Sequence, residues 1–182
     1  MAASPTPSSS STLLEIIIIS AEDLRVGRHG RPVEKDAFVT VRTGPRDAAA
    51  TALDRDGGSC PTWNERLLVG LPSSARSIRV EVGCGKQQGW GTGTVPVPVA
   101  AAAVPVAEFS HGPAGYLHLL SYRLRDGEGR RNGIVNFSVR RVVKRGGGGG
   151  GGGNHDHHHH YEEAGHVVMG YPVVGSCGGR GI

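Results

Sequence analysis

The sequence predicts an all-β fold: an antiparallel sandwich of about eight short strands between two disordered tails. Three observations predict it. Short β-branched runs recur between residues 13 and 142, several with strict period-two alternation. Clusters of Gly, Pro, Asp and Asn separate them. Almost no stretch carries the 3.6-residue period of an amphipathic helix. The chain has 182 residues, enough for one ordinary domain plus tails.

The elements follow in order. Leu13 to Ser20 is apolar on both faces apart from Glu15, as expected of a central, doubly covered strand. Leu24 returns to the core after a turn, and 25–35 is a loop rich in Gly, Arg and His. Asp36 to Thr43 is a strand with Ala37, Val39 and Val41 on one face. Thr51-Ala52-Leu53 reads as a short edge strand, and Asp56-Gly57-Gly58 as a turn. Pro61-Thr62-Trp63-Asn64-Glu65 then opens a strand running to Val69. Trp63 has the area to anchor a core, and its indole N–H needs a partner there. Asn64 and Glu65 can bond neighbouring loop backbone.

Ser77 to Val82 points Ile78, Val80 and Val82 inward and Arg79 and Glu81 outward, and Gly83 to Gly91, with four glycines, reads as a loop. Thr92 to Val97 reads as a short strand that Pro96 and Pro98 push towards an edge. The segment 100–109 is ambiguous between helix and coil, being bounded and interrupted by Pro98 and Pro105. Tyr116 to Leu124 reads as a strand with Tyr116, His118, Leu120, Tyr122 and Leu124 on one face and Leu117 and Leu119 on the other. After a loop over 125–132, Gly133 to Val142 alternates Val135, Phe137 and Val139 with Asn136, Ser138 and Arg140.

Residues 1–12, rich in Ser, Thr, Pro and Ala, cannot bury enough surface to offset ordering entropy, so they read as a disordered tail. The domain spans 13–145. Eight glycines at 146–153 form a linker, and the segment to residue 182 reads as a Gly- and His-rich disordered tail. There is no secretory pattern at the start, and the longest apolar run, Ile16 to Ile19, is too short to span a bilayer. The three cysteines match neither a disulfide framework nor a zinc motif. The expected setting is cytoplasmic.

Several stretches carry a family likeness. Leu14 to Leu24 resembles the opening strand of a C2 domain, Asp36-Ala37-Phe38-Val39-Thr40-Val41 its Asp-Pro-Tyr-Val strand, and Pro61-Thr62-Trp63-Asn64-Glu65 its Pro-x-Trp-Asn-Glu signature. Residues 119–126 and 129–139 resemble the small plant C2 proteins of the BON-association and SRC-type group. The resemblance implies an eight-stranded C2 β-sandwich. It also implies an adaptor peripheral at the plasma membrane, partnering a copine-type C2 protein in defence and cell-death regulation.

Calcium-binding members of that family hold the ion with about five acidic side chains, because a hard cation takes six to eight oxygens. Asp36 keeps one of those positions. The other first-loop position falls on Gly27, Arg28 and His29, and the third-loop acids are replaced along Gly83-Cys84-Gly85-Lys86. The expectation is calcium binding that is weak or absent, and no other cofactor.

Charge is concentrated. Between Tyr122 and Arg145 stand eight basic residues and two acids, six positive charges in excess, against +4 for the whole chain. Arg123, Arg125, Arg140, Arg141, Lys144 and Arg145 are therefore candidate contacts for anionic phospholipid, joined by Arg28, Arg31 and Lys35 in the first loop. Such residues contribute about 1 kcal/mol each near an anionic surface. No aromatic residues are interleaved on a reading surface, which argues against nucleic acid. His155, His157, His158, His159 and His160 are weak metal-ligand candidates without the spacing of a folded site. No nucleophile elbow, phosphate loop or paired carboxylates appear, so no catalysis is expected. The alternatives are a purely protein-binding adaptor and a metal-handling protein acting through the histidines.

Overall fold

Several strands of the expected series are built on alternation, and the computed structural model forms them. It describes residues 12–45, 47–87 and 94–142. The strands are β1 (Thr12–Glu22), β2 (Arg25–Val26), β3 (Arg31–Pro32), β4 (Ala37–Arg42), β5 (Ala48–Ala50), β6 (Thr62–Leu71), β7 (Ser77–Gln87), β8 (Thr94–Pro105), β9 (His118–Arg125) and β10 (Arg131–Val142). One short helix, α1 (Ala107–Ser110), follows β8 and buries Phe109.

The strand order is β5-β4-β7-β8-β9-β10-β1-β6, antiparallel throughout. A single register pair, Ala101 with Arg125, joins β8 to β9. The series folds there into two four-stranded layers, β5-β4-β7-β8 and β9-β10-β1-β6. Between them lie Leu14, Ile16 and Ile18 of β1, Val39 and Val41 of β4, Val80 of β7 and Phe137 of β10, all fully buried. Each such side chain contributes about 1.5–3 kcal/mol of burial.

The Pro61-to-Glu65 stretch couples the layers. Trp63 is half-buried, and its Nε1–H donates to the Ala37 carbonyl at 3.2 Å, joining β6 to β4. The Pro61 carbonyl accepts from Ala21 N–H at 3.0 Å. Glu65 Oε2 accepts from Ala52 N–H at 2.7 Å.

Several expectations change. β7 runs on through Gly83, Cys84 and Gly85 to Gln87, paired with β8, where a loop was expected from Gly83, and β9 begins at His118, leaving Tyr116 exposed ahead of it. β1 is central between β10 and β6, yet only one of its faces packs in the core. Glu15 is buried on the other face because Arg66 and Arg140 close over it, at 2.9 and 2.7 Å. The short edge strand lies at Ala48–Ala50 rather than at Thr51-Ala52-Leu53. There Thr51 is buried, and its Oγ1 accepts from Val39 N–H at 3.0 Å, ending the edge with a side-chain bond. The largest change is β8, which runs twelve residues and absorbs most of the ambiguous segment 100–109. Pro96 and Pro98 sit where only β7 is paired alongside, so their missing N–H groups cost no second ladder. Beyond them Val99, Ala100, Ala102 and Val104 are buried.

The connection 23–36, the turn 54–61 and the turn 126–130 gather at one end of the sandwich. Helix α1, residues 111–117, Thr12 and Val142 lie at the other.

Candidate functional site

The gathered end is organised by one buried amide. Asn132 accepts from Arg25 N–H at 3.0 Å through Oδ1, and donates through Nδ2 to the Arg25 carbonyl at 2.7 Å and the Val99 carbonyl at 3.3 Å. It therefore binds β2, β8 and β10 together. The β2–β3 hairpin closes at Gly27 and Gly30, whose φ values of 76° and 61° suit glycine. Gly30 N–H donates to the Gly27 carbonyl at 3.1 Å.

The facing turn, 126–130, is built on Asp126. Its carboxylate accepts from Glu128 N–H at 3.0 Å, Arg130 N–H at 2.9 Å and Arg130 Nε–H at 2.8 Å. The Arg130 guanidinium, outweighing the opposing effect of desolvation, holds Asp126 below the usual aspartate value, and Asp126 in turn pushes Arg130 up.

The basic residues here fall into two groups. Arg25 is paired with Asp23 at 2.8 Å, and Arg130 with Asp126 and Glu128 at 2.8 and 3.1 Å. The side chains of Arg28, Arg31, Lys35, Arg55 and Arg131 are exposed and make no ion pair or hydrogen bond among the described residues. Two clefts share Gly27 and Pro98. One, of about 480 Å³, lies between the hairpin and the 126–130 turn and is lined by Arg25, Arg28, Arg130 and Arg131. The other, of about 690 Å³, is lined by Arg31, Glu34, Lys35, Cys84 and Val97.

Asp36 is half-buried with φ 56°, and its carbonyl accepts from Gly85 N–H at 2.9 Å. Asp54 is occupied otherwise: its carboxylate accepts from Asp56, Gly57 and Thr62 N–H at 3.0, 2.7 and 2.7 Å. Burial pushes Asp54 up, but the three bonds more than offset it, and its pKa falls below the usual value. Cys84 is buried; desolvation and then the Asp36 charge raise its thiol pKa, which disfavours a thiolate ligand. No group of three His, Cys, Asp or Glu is placed to hold a metal among the described residues.

The basic residues that are close in sequence separate in space. Arg123 and Arg125 lie on β9 near the gathered end, donating to the Gly133 and Gly129 carbonyls at 3.4 and 2.8 Å. Arg140 and Arg141 lie near the far end of β10, roughly 30 Å from Arg131 at the strand rise per residue. Arg140 is engaged by Glu15, and Arg141 donates to the Gly112 carbonyl at 2.7 Å. Lys144, Arg145, His155, His157, His158, His159 and His160 lie outside the described residues. The organising role of Asn132 has no local sequence signal, since its main partner is 107 positions away.

No family model matches the chain. Over 135 residues, 69% of its length, it is 38% identical to BON1-associated protein 2 of Arabidopsis thaliana; the match spans 59% of that protein. Among solved structures it superposes on the C2A domain of plant Extended Synaptotagmin 1 with a TM-score of 0.53 at 14% identity, covering 72% of this chain and 94% of that one. A C2 domain-containing protein from a putative elicitor-responsive gene gives 0.53 at 16%, covering 81% and 100%. Calcium-bound C2A and C2B domains of Extended Synaptotagmin 2 give 0.52 at 15%, covering 75% and 46%. At these identities the structures speak for the fold.

Proposed function

This chain carries a C2 domain and resembles BON1-associated protein 2, and from that premise we propose that it is a non-enzymatic adaptor at anionic membrane. The end bearing Arg28, Arg31, Lys35 and Arg131 docks on phospholipid, and a copine-type C2 protein is held as partner. The relative's printed name, an associate of BON1, supports the partner reading. The setting is the cytoplasmic side of the plasma membrane, in defence and cell-death regulation, as the family resemblance implies.

One observation carries the membrane reading: five cationic side chains at one end, those of Arg28, Arg31, Lys35, Arg55 and Arg131, lack a partner among the described residues. At about 1 kcal/mol each, such contacts together give useful but salt-sensitive attachment. Weak calcium dependence follows from the sparse acids. Among the described residues Asp36 has no carboxylate cluster around it, and Asp54 is committed to its turn.

A second reading, a purely protein-binding adaptor, is favoured by the opposite end. Tyr116, Leu117 and Leu119 are 55%, 47% and 60% exposed there. Co-sedimentation of the full chain with vesicles, in calcium or chelator, separates the two. Binding that needs anionic lipid, weakens with salt and falls when Arg31 and Lys35 are changed to Gln supports the membrane reading. Binding that appears only with calcium, or partner capture with no vesicle binding, sinks it.

A further inference from the structure

The outer face of the layer β9-β10-β1-β6 carries large apolar side chains in the open. Register sets out two neighbouring rows across it. Leu119, Ser138, Ile17 and Arg66 form one, and Arg140, Glu15 and Leu68 form the next. Alternation turns these side chains away from the core face that holds Leu14, Ile16 and Ile18. Leu119 is 60% exposed and Leu68 48%. Ile17 is half-buried and takes no part in the core packing. The charges on the same rows are arranged around Glu15. Its side chain is 6% exposed and is met by Arg66 and Arg140 through Nε, at 2.9 and 2.7 Å. The two arginine side chains stay 60% and 46% exposed. What reaches solvent is therefore an apolar strip flanked by two guanidiniums, with the acid hidden beneath them. Asp47, beside Gly70 at the β6 rim, lies off this strip.

We propose that this sheet face is where the protein partner is held, and that it takes an amphipathic α-helix whose apolar stripe is bordered by carboxylates. The inference rests on the partner reading above and gives it a surface made of none of the residues assigned to the membrane. β10 and β1 each have a paired strand on both sides, so a partner finds no free ladder here and must engage side chains. A helix laid on a sheet does that. Leu119 and Ile17 stand two strands apart, about 10 Å, close to the rise from i to i+7 of a helix. Leu68 is the diagonal neighbour of Ile17, about 7–8 Å further, near the spacing of i and i+4. Guanidinium forks beside the strip favour carboxylates over ammonium groups on the helix flanks. The same charges disfavour a second copy, because two-fold stacking would set one cationic strip against another.

The test measures capture of a purified copine-type C2 protein by the full chain and by Leu68→Gln/Leu119→Gln. Two synthetic amphipathic helices are titrated alongside by fluorescence anisotropy, identical in their leucine stripe and bordered by Glu in one and Lys in the other. The expected result is capture about tenfold weaker in the variant with vesicle binding unchanged, and the Glu-bordered helix bound about tenfold tighter than the Lys-bordered one. Both leucines are about half exposed, so the variant keeps its fold, checked by its denaturation midpoint. Capture unchanged in the variant overturns this face and leaves the partner reading intact. No capture by the full chain overturns the partner reading; binding of the Glu-bordered helix that the variant loses then still supports the face, and its absence overturns both. Equal binding of the two helices overturns the acidic occupant. Self-association of the full chain that the variant abolishes assigns the face to a second copy and overturns the proposal.

Discussion

Arg140 Nε–H donates to Glu15 Oε1 at 2.7 Å, across the β1–β10 pair. Arg66 reaches the other oxygen of the same carboxylate at 2.9 Å. The side chain that sequence proximity assigns to a basic cluster is thus half of a structural bridge.

Arg140→Ala is expected to lower stability by about 1–2 kcal/mol, because Glu15 is left buried with one partner where it had two. Vesicle binding should change little. Urea unfolding together with co-sedimentation checks both; a large loss of vesicle binding with unchanged stability would contradict this assignment.

Trp63→Phe removes the donor to the Ala37 carbonyl while keeping most of the ring's apolar area. A loss of about 1 kcal/mol is expected. Trp63→Ala should cost about 3 kcal/mol, at the low end for such truncations because the ring is half-buried. Denaturant midpoints of the two variants should rank in that order.

Asp54 predicts an acid limb. Its carboxyl is held below the ordinary value in the folded state, so its stabilisation is complete above the unfolded pKa and vanishes as pH falls through the folded one. Stability should drop below about pH 4, and Asp54→Asn should flatten that limb while lowering the neutral-pH plateau. Thermal melts across the acid range provide the measurement.

Gly133 has φ 56°, and a Cβ there would stand 2.5 Å from the Glu22 carbonyl oxygen. Gly133→Ala should destabilise by about 2 kcal/mol or more, since backbone rather than a flexible side chain must move. Near-native stability of that variant would mean β1 and β10 separate more easily here than their pairing indicates.

The legible parts of the sequence were those where one face is apolar and the other is not. Ile78, Val80 and Val82 alternate with Arg79 and Glu81, and the first three are buried. β8 carries little signal because its first half holds two prolines and its second half opens with four alanines, which have no face to declare. The candidate site was legible in part. Arg28, Arg31 and Lys35 were visible as loop cations, but their convergence with Arg131 depends on folding across a hundred positions. The charge along residues 122–145 does not form one patch, because a twelve-residue strand carries its two termini to opposite ends of the domain.

The Asn132 amide also sets the exchange kinetics of the loop it holds. Arg25 N–H is tied to a buried oxygen, so its hydrogen should exchange with solvent only when β10 lets go of the hairpin base. The amides of Arg28 and His29, exposed and a few residues further out, should exchange without waiting for that event. The hairpin then behaves as a lever on a fixed fulcrum, its tip free to conform to a surface while its base keeps the register of the sandwich.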